Sequence, residues 1–203
     1  MNLSLKEGEF LVRLAREAIE YFFKNKEIMP LPEEYPEIFN QKRGVFVTLN
    51  SYPNQQLRGC IGYPLAYEPL IKGVISSALS AAFADPRFEP LNTVELDKVT
   101  VEVTVLSPMI QLDASRPYTE QIKVGRDGLY VVCGASSGLL LPQVPVEWGW
   151  DEEAFLANVC HKAGLPYTCY KDSSCTFYRF TGQIFEEETP NGRVIEKKIE
   201  EVL

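Results

Sequence analysis

Valine alternates with threonine and glutamate over residues 99–105, and this pattern constrains the fold more than any other stretch of the chain. Valine occupies positions 99, 101, 103 and 105, and Thr100, Glu102 and Thr104 stand between them. A period of two with β-branched residues is typical of a β-strand with two unlike faces. The protein must therefore contain a sheet that accepts this strand.

Helical patterns are mixed with further strand patterns, without a regular strand–helix–strand order. Helices are predicted from Leu5 to about Lys24, where Ser4 and Glu7 form a capping box, from Pro69 to about Ala84, and from Asp151 to Gly164. Strands are predicted at 44–49, 57–61, 122–124, 129–133, 138–144 and 176–186, with a hairpin at Asp127-Gly128. This mixture indicates an α+β fold with mostly antiparallel sheets.

Length and charge limit the kinds of protein that this chain can be. Its 203 residues suffice for one core or for two small subdomains. A formal net charge of −8 disfavours a nucleic-acid partner, because phosphate backbones repel an acidic surface. The apolar runs are too short for a membrane span and no signal segment is evident, so we expect a cytoplasmic protein.

The five cysteines do not follow a spacing that indicates a metal site or a disulfide framework. Their number is odd, and no two are spaced as in Cys-x-x-Cys. Cys160 and His161 are adjacent on a predicted helix and would point about 100° apart, so we expect no metal there. A bond between Cys169 and Cys175 is an alternative for a hyperthermophilic source, where intracellular disulfides occur.

The stretch Leu57-Arg58-Gly59-Cys60-Ile61-Gly62 has the composition of a site. Gly59 and Gly62 leave little bulk around Cys60 and predict a close approach of another backbone or of a ligand. Arg58 shares the strand face of Cys60, and a cation there would lower the pKa of the thiol. The alternative is that Cys60 is a small buried hydrophobic residue.

Five further residues could complete a site around Cys60. His161 is the only histidine, so it is the candidate base for a Cys60 nucleophile. Candidate polar lining residues are Asp85, Arg87, Gln143 and Lys162. The planar guanidinium of Arg87 suits a bound carboxylate or phosphate, but it could equally form a salt bridge to Asp85 or Glu89.

Four blocks of the sequence resemble those of the AMMECR domain family. They are the hexapeptide at 57–62, Asp85-Pro86-Arg87-Phe88, the segment 139–144 (Leu-Leu-Leu-Pro-Gln-Val) and the segment 162–165 (Lys-Ala-Gly-Leu). Ser137 departs from the family pattern, where an arginine is expected immediately before Gly138 and the third block. The resemblance implies two packed subdomains with the hexapeptide near their interface. We expect the smaller to span about 44–90 and the larger to be built from the rest of the single domain at 1–203.

The resemblance does not supply a reaction. It implies Memo-like or radical-SAM proteins as candidate partners, because family members are often encoded beside them, and it implies no cofactor. Phosphate-loop, dinucleotide-binding and serine-hydrolase motifs are absent from the sequence. Two hypotheses therefore stand. One is a thiol-dependent enzyme or enzyme accessory with a cleft around the hexapeptide. The other is a non-catalytic module that binds a peptide, a small molecule or another protein.

Overall fold

A computed structural model describes residues 2–198, which form an α+β fold with two antiparallel sheets. The helices are Leu5–Asn25 (α1), Leu70–Phe83 (α2), Thr93–Leu96 (α3), Gln143–Glu147 (α4) and Glu152–Lys162 (α5). The strands are Val45–Ser51 (β1), Gln56–Tyr63 (β2), Val99–Leu106 (β3), Ile110–Gln111 (β4), Gly128–Cys133 (β5), Ser136–Leu140 (β6), Thr176–Phe180 (β7), Gly182–Glu187 (β8) and Val194–Lys197 (β9). The predicted fold class is confirmed.

The described chain forms two compact units. The first contains the residues up to Leu106 together with Gln183–Lys197, and the second contains Ser107–Gly182. The segment 44–90, predicted as a smaller subdomain, lies wholly within the first unit. The boundaries between the units fall instead after residues 106 and 182, because β8 and β9 return to the first sheet late in the chain.

The first unit is a five-stranded sheet with helices against one face. Its strand order is β2-β1-β3-β8-β9, and α1 and α2 pack together on the face that carries the valines of β3. The helix α1 begins at the predicted capping box, in which the Ser4 side chain accepts from the backbone N–H of Glu7. The predicted hairpin of β1 and β2 is also confirmed. The polar positions of β3 therefore lie on the opposite face of the sheet.

The second unit is a four-stranded sheet, β4-β7-β5-β6, with α5 packed against it. The hairpin predicted between 122–124 and 129–133 is wrong, since β5 pairs with β6 and β7 instead. The reason is that the buried Asp127 carboxylate accepts the backbone N–H of Lys123 at 2.8 Å and closes a turn there. The helix α5 begins as predicted, with Asp151 accepting the N–H of Ala154 at 2.8 Å.

Two predicted strands are shorter than expected. The segment 138–144 ends as a strand at Leu140, because Pro142 lacks an N–H and stands at the N-cap of α4. The segment 176–186 is divided at Thr181 into β7 and β8, which belong to different sheets. Burial does not alternate through the two strands, since Phe177 and Phe180 are buried in β7 and the adjacent Ile184 and Phe185 are both buried in β8.

Four of the five cysteines form disulfides, both within the second unit. Cys133 bonds to Cys175 and Cys160 bonds to Cys169, with Cα–Cα distances of 4.4 and 5.9 Å. The expectation against a disulfide framework is wrong, and so is the alternative pairing of Cys169 with Cys175. The register of β5 with β7 places Cys175 beside the end of β5, and a short turn after α5 returns Cys169 to that helix.

Among residues 2–198, no helix combines the length and the apolar character that crossing a membrane requires.

Candidate functional site

The hexapeptide lies in β2, the outer strand of the first sheet within the described chain. Gly59 is buried, and a Cβ atom there would collide with the carbonyl oxygen of Ala81 in α2. A Cβ atom on Gly62 would likewise collide with the carbonyl oxygen of Val45 and with the Phe46 ring. The predicted close approach is thus confirmed, but the space at both glycines is taken by the protein itself and not by a ligand.

The turn that follows α2 fixes the backbone of Cys60. Asp85 Oδ2 accepts the backbone N–H of Cys60 at 2.8 Å, and Arg87 Nη2 donates to the carbonyl oxygen of Cys60 at 3.2 Å. The backbone N–H and C=O of Cys60 point away from β1, so these two contacts satisfy groups that an edge strand would otherwise expose. Two of the four sequence blocks therefore meet at Cys60.

Asp85 and Arg87 are also paired with each other. Arg87 Nη2 and Nε donate to the two carboxylate oxygens at 2.7 and 3.0 Å, and the carboxylate is buried. The hydrogen bonds from Arg87 hold the pKa of Asp85 well below its usual range, and the carboxylate in turn raises the pKa of Arg87. Of the two alternatives for Arg87, the salt bridge to Asp85 is present.

Arg58 does not act on the thiol as predicted. Its Nε and Nη2 atoms donate to the two Glu95 carboxylate oxygens at 3.0 and 3.1 Å, and Nη2 also donates to the carbonyl oxygen of Glu89 at 3.0 Å. The strand face determines only the direction in which the Arg58 side chain leaves the backbone. The side chain is long enough for its guanidinium to reach the Glu95 carboxylate. The cation that lowers the pKa of Cys60 is Arg87.

Cys60 is the one free cysteine among residues 2–198 and is half-buried. Thr48 Oγ1 in β1 lies 3.1 Å from Cys60 Sγ, in hydrogen-bond contact. Burial raises the pKa of the Cys60 thiol, as do the charges of Glu102 and Asp85, whereas the Thr48 hydrogen bond and Arg87 lower it. The predicted decrease in the pKa of this thiol is therefore wrong in direction, because burial outweighs the nearby cation.

A row of polar side chains continues from Cys60 across the sheet. Thr48 is in register with Cys60 on one side and with Glu102 of β3 on the other. Beyond Glu102, Lys197 Nζ lies 4.0 Å from Glu102 Oε2 and 3.0 Å from Glu186 Oε2. Burial raises the pKa of Glu102 to about 7, and the neighbouring Glu186 adds to this increase.

Sequence reasoning missed Thr48 and Glu102 as site residues. The alternation of β3 does separate Glu102 from the buried valines, which is the one signal available for it. The register that aligns Cys60, Thr48 and Glu102 depends on strand pairing, which no local pattern reveals.

The remaining predicted residues lie in the second unit. Gln143 begins α4, and its Oε1 atom is buried with no hydrogen-bond partner among the described residues. His161 and Lys162 are exposed at the end of α5, where the imidazole stacks on Tyr167 with ring centroids 4.6 Å apart. A Cys60–His161 pair and the convergence of all four blocks on one cleft stay predictions. Within residues 2–198, no three His, Cys, Asp or Glu side chains are grouped as metal ligands.

Comparison with known proteins gives concordant matches in sequence and in structure. The family model described as AMMECR1 matches residues 12–185. A protein of Thermococcus gammatolerans is 54% identical over 198 residues, which cover 95% of this chain and 96% of that protein. A protein of Methanocaldococcus jannaschii is 51% identical over 199 residues, with 97% and 98% covered. The crystal structure of an uncharacterized protein from Pyrococcus horikoshii matches with a TM-score of 0.86 at 50% identity, covering 95% of this chain and 97% of that one.

Proposed function

The chain belongs to the AMMECR1 family, and from that premise we propose that it is a thiol-dependent enzyme with Cys60 as its nucleophile. One observation carries the proposal. The single free thiol is half-buried on the polar face of the sheet, its backbone is fixed by Asp85 and Arg87, and its sulfur contacts the Thr48 hydroxyl. A cysteine that only fills core volume needs no polar contact at its sulfur, whereas this sulfur contacts a hydroxyl.

The base that such a reaction needs is supplied by Glu102 in this proposal. A carboxylate with a pKa of about 7 accepts and returns protons near neutral pH, as a general base must. Asp85 is unsuited to the task, because its pKa lies well below the usual range and its oxygens already accept hydrogen bonds from Cys60 and Arg87. His161, the base expected from the sequence, belongs to the second unit.

The chemistry proposed is transfer of an acyl group through a covalent intermediate. Cys60 Sγ forms a bond to the acyl carbon while the thiol proton passes to the Thr48 hydroxyl, which stands between the two residues in register, and the hydroxyl gives its own proton to the Glu102 carboxylate. The bond to the leaving group then breaks with its electron pair, and the proton on Glu102 neutralises that group. Water afterwards cleaves the bond between sulfur and the acyl carbon and releases the acid.

A non-catalytic binding module is the second candidate, and it too has an observation in its favour. The pKa of the Cys60 thiol is raised, and Arg58, Asp85 and Arg87 are all engaged in internal hydrogen bonds. A protein with this arrangement would bind its ligand without reacting with it.

A panel of thioesters and activated esters separates the two functions. We expect mass spectrometry to find an acyl adduct at Cys60 and hydrolysis to continue over several turnovers. The Cys60→Ala variant should lose both, whereas Glu20→Gln, an exposed carboxyl change on α1, should lose neither. Turnover that survives in Cys60→Ala would refute the enzyme. A ligand held equally by the wild type and by Cys60→Ala, with no adduct, would favour the binding module.

A further inference from the structure

We propose that Cys60 and Glu102, aligned on either side of Thr48, ionise as a coupled pair in which the negative charge of each group disfavours that of the other. The inference deepens the proposed function, because it assigns a control to the nucleophile of that same site. The electrostatic coupling between the two groups exists in the free protein and does not require a substrate.

The alignment comes from the strand register. Cys60 of β2 is opposite Thr48 of β1, and Thr48 is opposite Glu102 of β3. Directly opposite side chains on one sheet face have Cβ atoms about 5 Å apart, so the thiol and the carboxyl are separated by one strand. Thr48 Oγ1 lies 3.1 Å from Cys60 Sγ, so the thiol contacts the residue that stands between the two ionisable groups. Both groups are withdrawn from water, which weakens the screening between their charges.

The charged groups around the pair leave Glu102 as the group that titrates near neutral pH. On the side of β8 and β9, Lys197 is closer to Glu186, at 3.0 Å, than to Glu102, at 4.0 Å. On the side of Cys60, Asp85 and Arg87 are paired with each other at 2.7 Å. Glu102 is therefore the carboxyl whose ionisation changes in the range where the thiol is used, with a pKa of about 7.

Two consequences follow from the coupling. Ionised Glu102 adds to the increase that burial causes in the pKa of Cys60, so the thiolate forms at lower pH when Glu102 is uncharged. The observed pKa values of the two groups then belong to the pair.

The rate of Cys60 alkylation by iodoacetamide, measured from pH 5.5 to 10 with peptide mapping, tests the coupling. In the wild type the logarithm of the rate should rise with pH, flatten as Glu102 ionises near pH 7, and rise again. In Glu102→Gln the flattening should disappear, and alkylation should be about twofold faster at pH 7, where half of the wild-type carboxyl is charged, with a larger ratio at pH 9.

Two further variants distinguish the coupling from a simple loss of structure in Glu102→Gln. Glu186→Gln removes the like charge that raises the pKa of Glu102, so the flattening should move to lower pH while the protein keeps Glu102. Glu20→Gln on α1 should leave the profile unchanged. Superimposable profiles for the wild type and Glu102→Gln, with native circular dichroism, would overturn the coupling. That outcome leaves the enzyme intact if Cys60→Ala abolishes turnover, so the two proposals fail separately.

Discussion

Replacing Asp85 should release the backbone of Cys60 from its fixed position. The carboxylate accepts four hydrogen bonds, from the N–H of Cys60 at 2.8 Å, from the N–H of Arg87 at 3.1 Å, and from Arg87 Nη2 and Nε at 2.7 and 3.0 Å. Asp85→Ala removes all four. Asp85→Asn keeps one oxygen as an acceptor, so it serves as the matched variant.

The magnitude follows from what each group loses. A hydrogen bond to a charged group contributes about 1.5–3 kcal/mol, and an N–H left unpaired in a part-buried position costs a similar amount. The attraction to the Arg87 guanidinium adds little, because that side chain is 53% exposed and water screens it. We therefore expect Asp85→Ala to lower the free energy of unfolding of the first unit by ~3 kcal/mol, and Asp85→Asn by about half as much.

Amide hydrogen exchange followed by NMR measures this effect at the atom concerned. The exchange of the Cys60 N–H should accelerate about 10–100-fold in Asp85→Ala, since ~1.4 kcal/mol corresponds to a factor of ten. The N–H of Ile61 is the internal control, because Ile61 is in register with Val47 of β1 and does not depend on Asp85. Tryptophan fluorescence would miss the change, as both tryptophans, Trp148 and Trp150, lie in the second unit.

The pH dependence gives an independent check with a definite sign. The pKa of Asp85 is lowered in the folded protein, so its stabilising contribution is present above the pKa of an unfolded aspartate, about 3.9. It is lost as the pH falls from there through the folded value. The difference in stability between wild type and Asp85→Asn should thus be constant from pH 5 to 7 and shrink below pH 4. Equal exchange of the Cys60 amide in wild type and Asp85→Ala would refute the role given to this carboxylate.

Three other substitutions test separate parts of the structure. Arg58→Ala should leave the pH profile of Cys60 alkylation unchanged, because its guanidinium is bound to a carboxylate of α3; a shifted profile would restore Arg58 as the activating cation. Gly59→Ala should destabilise the first unit by ~1–3 kcal/mol in urea unfolding followed by circular dichroism, since its Cβ would collide with α2, and a neutral result would contradict that packing. Replacing Cys133 and Cys175 together by serine should lower the stability of the second unit by about 2–4 kcal/mol, measured by tryptophan fluorescence, while Cys60 alkylation stays at the wild-type rate.

Local chemistry determined the elements that the sequence predicted correctly. The capping box at Ser4, the alternation of β3 and the N-cap at Asp151 each depend on contacts within a few residues, so they can be recognised without knowing the fold. The close approach at Gly59 was also readable, since only the absence of a side chain permits it.

The tertiary structure decided everything that depends on which segments meet. The register of β1 with β2 and β3 created the row from Cys60 through Thr48 to Glu102, and the path of the chain at Thr181 assigned β7 and β8 to different sheets. The balance of burial against charge reversed the expected direction of the pKa of Cys60. Strand register and the burial of a side chain depend on residues far away in the sequence. The same local sequence is therefore compatible with more than one register and with more than one degree of burial. The sequence by itself therefore identified Cys60 as a candidate site residue, and the tertiary structure determined that Thr48, Asp85 and Arg87 contact it.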